Sequence, residues 1–247
     1  MDFIDLHGRK ILITGASSGI GRATAVLVSQ LGGDVVLCGR HAQRLEETQK
    51  RMECPDRHTR IVFDVKEFDQ YDEVFRTAIA DGKKLGGLVH CAGIAKAIPL
   101  GRMKESAVND IMNVNFTSFM CLVGLYSKKK YSEGGSIVAV SSANTHYPQK
   151  CMSVYAASKS AIEASVRTMA LELSMRNIRI NCVVPGAVRT PMMDMTEEEA
   201  LHAIVQKQLL GVGKPEDVAN MIAFLLSDAS SFVTGRAMFT DGGMLGQ

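Results

Sequence analysis

Seven short apolar runs, most of them rich in Val and Ile, alternate along this chain with segments of helical length. The apolar runs are 10–14, 35–38, 60–63, 87–90, 136–140, 178–184 and 237–240. The helical segments span roughly 20–31, 41–52, 67–81, 104–130, 153–176 and 215–227. Strands that are apolar on both faces and separated by helices predict a parallel sheet covered on both sides. Right-handed crossovers then give a doubly wound, seven-stranded α/β sheet of the Rossmann type.

Length and composition agree with one such domain over residues 1–247. The chain has 247 residues, 46% of them hydrophobic, and no linker-like tract interrupts it. A net charge of +2 gives no reason to expect a nucleic acid or a membrane surface as partner. No apolar run approaches the length of a membrane span, and acids stand at Asp2 and Asp5 where a signal peptide carries bases. We therefore expect a cytoplasmic protein.

The six cysteines include no closely spaced pair of the kind that binds a metal. Several lie in apolar strands, as Cys38 and Cys182 do. We interpret them as reduced core residues of a cytoplasmic protein, and we expect no metal site.

A glycine-rich segment lies between the first predicted strand and the first predicted helix. Its spacing is Gly-x-x-x-Gly-x-Gly, with glycines at 15, 19 and 21. Glycines allow the backbone to approach a pyrophosphate, and the helix N-terminus directs free N–H groups at the anion. A tight turn could use the same glycines, but this position favours nucleotide binding. The predicted cofactor contacts here are Gly15, Ser17, Ser18, Gly19, Ile20 and Gly21.

The end of the second strand indicates which nicotinamide cofactor is used. Enzymes selective for NAD place a carboxylate near this point, whereas here the residues are Gly39 and Arg40. Arg40 suits a 2′-phosphate and favours NADP(H) over NAD(H), although it could also be a solvated loop residue. Asp64 and Val65 close the third strand, and Asp64 could accept from the adenine amine or cap the next helix.

A Tyr-x-x-x-Lys pattern supplies the strongest indication of catalysis. Tyr155 and Lys159 are four residues apart and share one helix face, and Ser142 follows the fifth strand upstream. A nearby ammonium would lower the pKa of the phenol and make it a general acid or base. Ser142 could donate to the substrate oxygen where charge develops. The pattern is common by chance, but its occurrence together with the serine and the glycine loop favours catalysis.

These motifs resemble those of the short-chain dehydrogenases/reductases of the short, single-domain type, in particular the 3-oxoacyl-carrier-protein reductases. The likeness extends from about Leu6 to Gly243. It implies a catalytic set of Asn115, Ser142, Tyr155 and Lys159, in which Asn115 holds a water that links Lys159 to bulk solvent. It also implies further cofactor contacts at Ala92, Gly93, Tyr155, Lys159, Pro185, Gly186, Val188 and Thr190.

The chain departs from the family after its fourth strand. The family usually has Asn-Asn-Ala-Gly there, whereas this sequence has His90, Cys91, Ala92 and Gly93. The absent Asn normally stabilises the sheet, so its loss puts local stability in doubt more than catalysis. We expect His90 to be a core residue with satisfied hydrogen bonds.

Residues 187–212 follow the Pro-Gly pair and, by resemblance, fold over the substrate. Their methionines suit an adaptable apolar wall, and simple packing between helices is an equally good explanation. Candidate substrate contacts are Asn144, Tyr147, Met152 and Met192. Basic residues at 128–130 and Arg176 could dock an acidic carrier protein, or could complement helix dipoles.

The sequence therefore predicts an NADP(H)-dependent oxidoreductase that moves a hydride between the nicotinamide and a small-molecule ketone or secondary alcohol. One alternative is a 3-oxoacyl-carrier-protein reductase of fatty-acid synthesis. Another is a nucleotide-sensing protein without turnover, which would have no need of the proton path. Family resemblance implies a homotetramer or homodimer through helices near 104–130 and 153–176.

Overall fold

The computed structural model describes residues 3–193 and 205–245, and its centre is one parallel sheet of seven strands. The strand order is β3-β2-β1-β4-β5-β6-β7, so the direction of winding reverses between β1 and β4. The strands are β1 Lys10–Thr14, β2 Asp34–Gly39, β3 Thr59–Val62, β4 Leu85–His90, β5 Ser132–Val140, β6 Ile178–Pro185 and β7 Ala237–Thr240. The predicted doubly wound sheet is confirmed.

Helices cover both faces of the sheet. They are α1 Gly19–Gln30, α2 Ala42–Gln49, α3 Tyr71–Ala78, α4 Glu105–Met112, α5 Ser118–Tyr126, α6 Ser153–Leu173 and α7 Pro215–Leu226. α1 and α7 pack against each other on one face, and α3, α5 and α6 contribute to the core on the other. None of the helices in the described part of the chain is both long and apolar enough to cross a membrane.

Alternating side chains of the strands divide the core into two clusters. Ile11 and Ile13 of β1 belong to the cluster beneath α1 and α7, whereas Leu12 between them belongs to the opposite cluster. All three are fully buried, and burying one such side chain stabilises the fold by about 1.5–3 kcal/mol. This two-sided burial explains why β1 and the other central strands have continuous apolar sequences.

The long helix predicted over 104–130 is interrupted. α4 ends at Met112, a π-helical turn follows over Asn113–Thr117, and α5 begins at Ser118. No Pro or Gly lies in this turn, so its cause is tertiary: the Asn115 side chain bonds the backbone after β4. Such turns are frequent at functional sites.

Candidate active site

One cavity of about 390 Å³ lies at the carboxyl ends of the strands, where the winding direction reverses. This is the position at which doubly wound sheets bind ligands. Every cofactor contact predicted from the sequence lines it: Gly15, Ser17, Ser18, Gly19, Ile20, Gly21, Arg40, Asp64, Val65, Ala92, Gly93, Tyr155, Lys159, Pro185, Gly186, Val188 and Thr190.

The glycine loop is packed too closely to accept side chains. Gly15 has a φ of +68°, and a Cβ built there would lie 2.8 Å from the Ala92 backbone nitrogen. A Cβ at Gly21 would lie 2.3 Å from the Gly15 carbonyl oxygen. Both positions therefore require glycine, and the loop presents its backbone and the α1 N-terminus to the cavity.

A corner of the cavity after β2 is lined by basic side chains. The Arg40 guanidinium lies 3.6 Å from the Asp64 carboxylate, so two residues predicted to bind different parts of a nucleotide pair with each other. His41 and Arg44 also line this corner. Sequence reasoning missed both, although Arg44 is four residues after Arg40 in the segment that begins α2.

Tyr155 and Lys159 project from α6 into the cavity and both are buried. The Lys159 ammonium donates a hydrogen bond of 2.7 Å to the Val140 carbonyl oxygen. Burial lowers the pKa of Lys159 to about 8. Burial also raises the pKa of Tyr155, an effect that its hydrogen bond with Ser142 opposes.

The expected lowering of the Tyr155 pKa by Lys159 is wrong. Desolvation is the larger effect, and the ammonium is directed at the Val140 carbonyl. The phenol is therefore protonated at neutral pH, which is the form that donates a proton to a carbonyl oxygen.

Asn115 lies behind the cavity wall and links the π-helical turn to α6 and to the segment after β4. Its side-chain oxygen accepts from the Ile94 backbone N–H at 2.8 Å, and its amide donates to the Ile94 carbonyl at 3.0 Å and to the Ser158 hydroxyl at 2.9 Å. A Cβ at Gly93 would lie 3.4 Å from Asn115 Oδ1 and 3.3 Å from Lys159 Nζ. The glycine thus lets the segment after β4 pass close to both side chains.

A buried carboxylate holds the loop that carries Ser142. Glu163, one helical turn beyond Lys159, accepts from the Ser141 hydroxyl at 2.6 Å. The Thr145 hydroxyl lies 2.8 Å from the same carboxylate oxygen, and His146 Nε2 lies 2.9 Å from the other. Sequence reasoning missed Glu163, although the spacing 155, 159 and 163 places the three residues on one helix face.

The predicted substrate contacts divide into two groups. Asn144, Met152 and Met192 line the cavity, whereas Tyr147 does not. Met193, one of the methionines expected to form an apolar wall, also lines the cavity, and further lining residues that were not predicted include Ile94, Ala95, Gln149 and Met244. Within the predicted covering segment 187–212, residues 194–204 lie outside the described part of the chain.

His90 is a core residue with hydrogen-bonding partners, as expected. Its Nδ1 lies 3.0 Å from the Thr14 hydroxyl and its Nε2 lies 3.4 Å from the Ser118 hydroxyl. Complete burial lowers its pKa to about 3, so the imidazole is neutral. His90 therefore bonds β4 to β1 and α5, where the family's Asn would normally stabilise the sheet.

The basic residues considered for carrier docking lie near the amino ends of the strands, opposite the cavity. Residues 128–130 lie just before β5 and Arg176 lies just before β6, whereas the cavity lies at the carboxyl ends of the strands. Arg176 donates to the Ser127 and Ser132 carbonyl oxygens, and the Lys130 ammonium lies 5.0 Å from the Tyr131 ring centroid. Within one chain, these residues do not flank the cavity mouth. Arg176 instead satisfies a free carbonyl oxygen at the C-terminal end of α5.

Comparisons with known proteins agree with this fold. The family described as "Enoyl-(Acyl carrier protein) reductase" matches residues 15–245. A 3-oxoacyl-[acyl-carrier-protein] reductase FabG of Thermotoga maritima is 38% identical over 246 residues, covering 97% of this chain and 99% of that protein. A D-erythrulose reductase of Gallus gallus is 32% identical over 247 residues, covering 98% of each.

Solved structures are similar over the same extent. A dehydrogenase/reductase of Sinorhizobium meliloti has a TM-score of 0.91 at 28% identity, covering 97% of this chain and 96% of that one. The structure of a short-chain dehydrogenase/reductase SDR:Glucose/ribitol dehydrogenase from Brucella melitensis also has a TM-score of 0.91 at 28% identity, covering 98% of each chain. Sheet, cavity and relatives define a nicotinamide-dependent oxidoreductase that acts on CH–OH groups. The chain belongs to the short-chain dehydrogenase/reductase family.

Proposed function

We propose that this protein reduces a small-molecule ketone to a secondary alcohol, reversibly, with NADP(H). The observation that carries the proposal is the presence of Tyr155 and Lys159 in the same cavity as the glycine loop. A protonated phenol there is a proton donor at the point where a carbonyl would meet the cofactor.

The residues of the cavity fit a dinucleotide phosphate. Gly15 and Gly21 pack against neighbouring backbone and carry no side chain. The α1 N-terminus is therefore open to a pyrophosphate. Arg40 and Arg44, with no carboxylate at Gly39, support a 2′-phosphate and therefore NADP(H) over NAD(H). When bound, the cofactor supplies or accepts the hydride.

The chain's own residues supply the remaining chemistry. Tyr155 donates a proton to the carbonyl oxygen and Ser142 holds that oxygen by a hydrogen bond. Lys159, a buried cation near pH 7, stabilises developing negative charge and binds the nicotinamide ribose. Asn115 acts through its hydrogen bonds to Ile94 and Ser158, which hold the backbone beneath Lys159 in place. Its side chain would also hold the water through which protons pass from Lys159 to bulk solvent.

A substrate panel tests this function. NADPH consumption should be followed with ketones, sugars, steroids and acyl thioesters at equal concentrations. Turnover of at least one carbonyl class supports the proposal. Tight NADPH binding without turnover of any class would instead favour the nucleotide-sensing alternative.

A second candidate is reduction of a 3-oxoacyl group on an acyl carrier protein. The name of the Thermotoga maritima relative favours it, while the name of the Gallus gallus relative points to a sugar ketone. Charge reversal at Lys129, which leaves the Arg176 hydrogen bonds intact, would weaken carrier-linked substrates and spare small ketones if these basic residues dock a carrier.

We also propose that residues 1–247 act as one domain, that 187–212 cover the substrate, and that the chain forms a homodimer or homotetramer. Exposed apolar side chains on the predicted interface helices, among them Met120, Leu171 and Met175, support self-association.

Six free cysteines suit a reducing compartment and support a cytoplasmic location.

A further inference from the structure

The helix α2 is hydrogen-bonded to the glycine loop through two side chains, Thr48 and Arg22. Thr48, on α2, is fully buried, and its hydroxyl lies 2.9 Å from the Ala16 carbonyl oxygen. Arg22, in the first turn of α1, donates from Nη2 to the Ser17 carbonyl oxygen at 2.6 Å and from Nε to the Thr48 hydroxyl at 3.0 Å. The two side chains therefore form one hydrogen-bonded link between the loop and the helix.

This link also reaches the backbone of Arg44, one helical turn before Thr48. The Arg44 carbonyl oxygen lies 3.0 Å from the Thr48 hydroxyl and 3.4 Å from Arg22 Nη2. The Arg44 side chain lines the cavity, is exposed, and has no hydrogen-bond or ion-pair partner among the described residues. The Arg40 guanidinium in the same corner lies 3.6 Å from the Asp64 carboxylate. Arg44 is thus a guanidinium free to bind an anion there.

The glycine loop is held in place independently of Thr48. The Ala16 backbone N–H donates to the Cys38 carbonyl oxygen at 3.1 Å, and the close packing of the loop's glycines against backbone adds to this support. Loss of the Thr48 hydroxyl would therefore leave the pyrophosphate end of the site intact. It would loosen α2 against the loop, and with it the position of Arg44.

We propose that Thr48 is a positioning residue for the 2′-phosphate of NADP(H), because it fixes the helical turn from which the Arg44 guanidinium binds that phosphate. The inference rests on the proposed function, in which the cofactor is NADP(H). A planar guanidinium binds phosphate through two parallel hydrogen bonds, so this contact is sensitive to small shifts of the helix that carries it. Neither Thr48 nor Arg22 lines the cavity, so both act through Arg44.

Thr48→Val removes the hydroxyl and keeps the shape of the side chain. We expect the Kd for NADPH to rise about 5- to 10-fold and the Kd for NADH to stay within about twofold of the wild type in fluorescence titrations. Thr48→Ser, which retains the hydroxyl, should keep the wild-type preference. Thr24→Val is the matched control, because Thr24 is also buried on a helix but its hydroxyl donates to the Ile20 carbonyl oxygen of its own helix.

Calorimetric titration with 2′,5′-ADP and with 5′-AMP isolates the phosphate contact from hydride transfer, because the two nucleotides differ only in the 2′-phosphate. The preference for 2′,5′-ADP should fall in Thr48→Val by the same factor as the preference for NADPH. In an Arg44→Ala background, Thr48→Val should have no further effect on this preference. Arg22→Leu, at a partly exposed position, breaks the same link from α1 and should lower the preference in the same direction.

The outcomes separate this inference from the proposed cofactor. A wild type that binds NADH as tightly as NADPH would overturn the proposed cofactor preference, and the inference with it. A wild-type preference that survives in Thr48→Val would overturn the inference alone. The inference would also fail if Thr48→Val weakened the binding of both cofactors equally, or if the effects of Thr48→Val and Arg44→Ala were additive.

Discussion

Glu163 Oε2 and His146 Nε2 lie 2.9 Å apart, joining the middle of α6 to the loop that carries Ser142. Glu163 is almost completely buried, whereas the His146 side chain is 43% exposed. The other carboxylate oxygen meets Ser141 and Thr145, on either side of Ser142. Glu163 is thus a positioning residue that fixes the proposed catalytic hydroxyl without touching the substrate.

Glu163→Gln should reduce kcat by about tenfold, because the amide keeps the shape of the side chain but not its charge-assisted hydrogen bonds. The KM for NADPH should change little, since Glu163 does not line the cavity. Steady-state kinetics with both substrates varied provide the measurement. The control is Glu172→Gln, an exposed position on the same helix. A variant with a lower Tm but wild-type kcat would show that Glu163 serves stability alone.

Lys159→Met should change how stability depends on pH. Burial lowers the folded pKa of Lys159 to about 8, so between pH 8 and the unfolded value near 10.4 the unfolded chain binds more protons. Stability contributed by this residue therefore rises with pH in that window. From pH 7.5 to 9.5 the wild type should gain about 2 kcal/mol relative to the variant in denaturant unfolding. Parallel curves for the two proteins would mean that Lys159 is not desolvated.

His90→Asn should protect the protein against acid. The folded pKa of His90 is about 3 because of burial, so below pH 6.5 the unfolded chain takes up a proton that the folded chain does not. Stability contributed here is lost as the pH falls. From pH 7.5 to 5 the wild type should lose about 2 kcal/mol more than His90→Asn. Identical losses in the wild type and His90→Asn would refute the assignment.

Arg40→Ala should weaken NADPH binding by about tenfold and leave NADH binding nearly unchanged, because only NADPH has the 2′-phosphate. Fluorescence titration with each cofactor measures both affinities. Arg51→Ala, an exposed residue just after α2 that does not line the cavity, is the matched control. If the wild type bound NADH as tightly as NADPH, the proposed cofactor preference would be wrong.

The sequence predicted those features whose geometry is local. The central strands were recognisable because both of their faces are buried, and the pairing of Tyr155 with Lys159 follows from helical spacing. The glycine loop was recognisable because its position after β1 identifies it. These features require no knowledge of distant contacts.

Other features depend on contacts between distant segments, and the sequence did not reveal them. The π-helical turn at Asn113–Thr117 depends on the hydrogen bond between Asn115 and Ile94, which is 21 residues earlier in the chain. A Glu on a helix is usually solvated, so the burial of Glu163 became evident only with the loop packed over it. Tyr147 is not among the residues that line the cavity, and its role in substrate binding stays a prediction.

The direct test of the account is the kinetics of Tyr155→Phe, which removes the proton donor and keeps the ring. The variant should bind NADPH with wild-type affinity and lose turnover by at least about 10³-fold on any ketone that the wild type reduces. Tyr147→Phe, outside the cavity, is the matched control and should retain activity. Turnover of Tyr155→Phe near the wild-type rate would contradict the central claim that this phenol protonates the substrate.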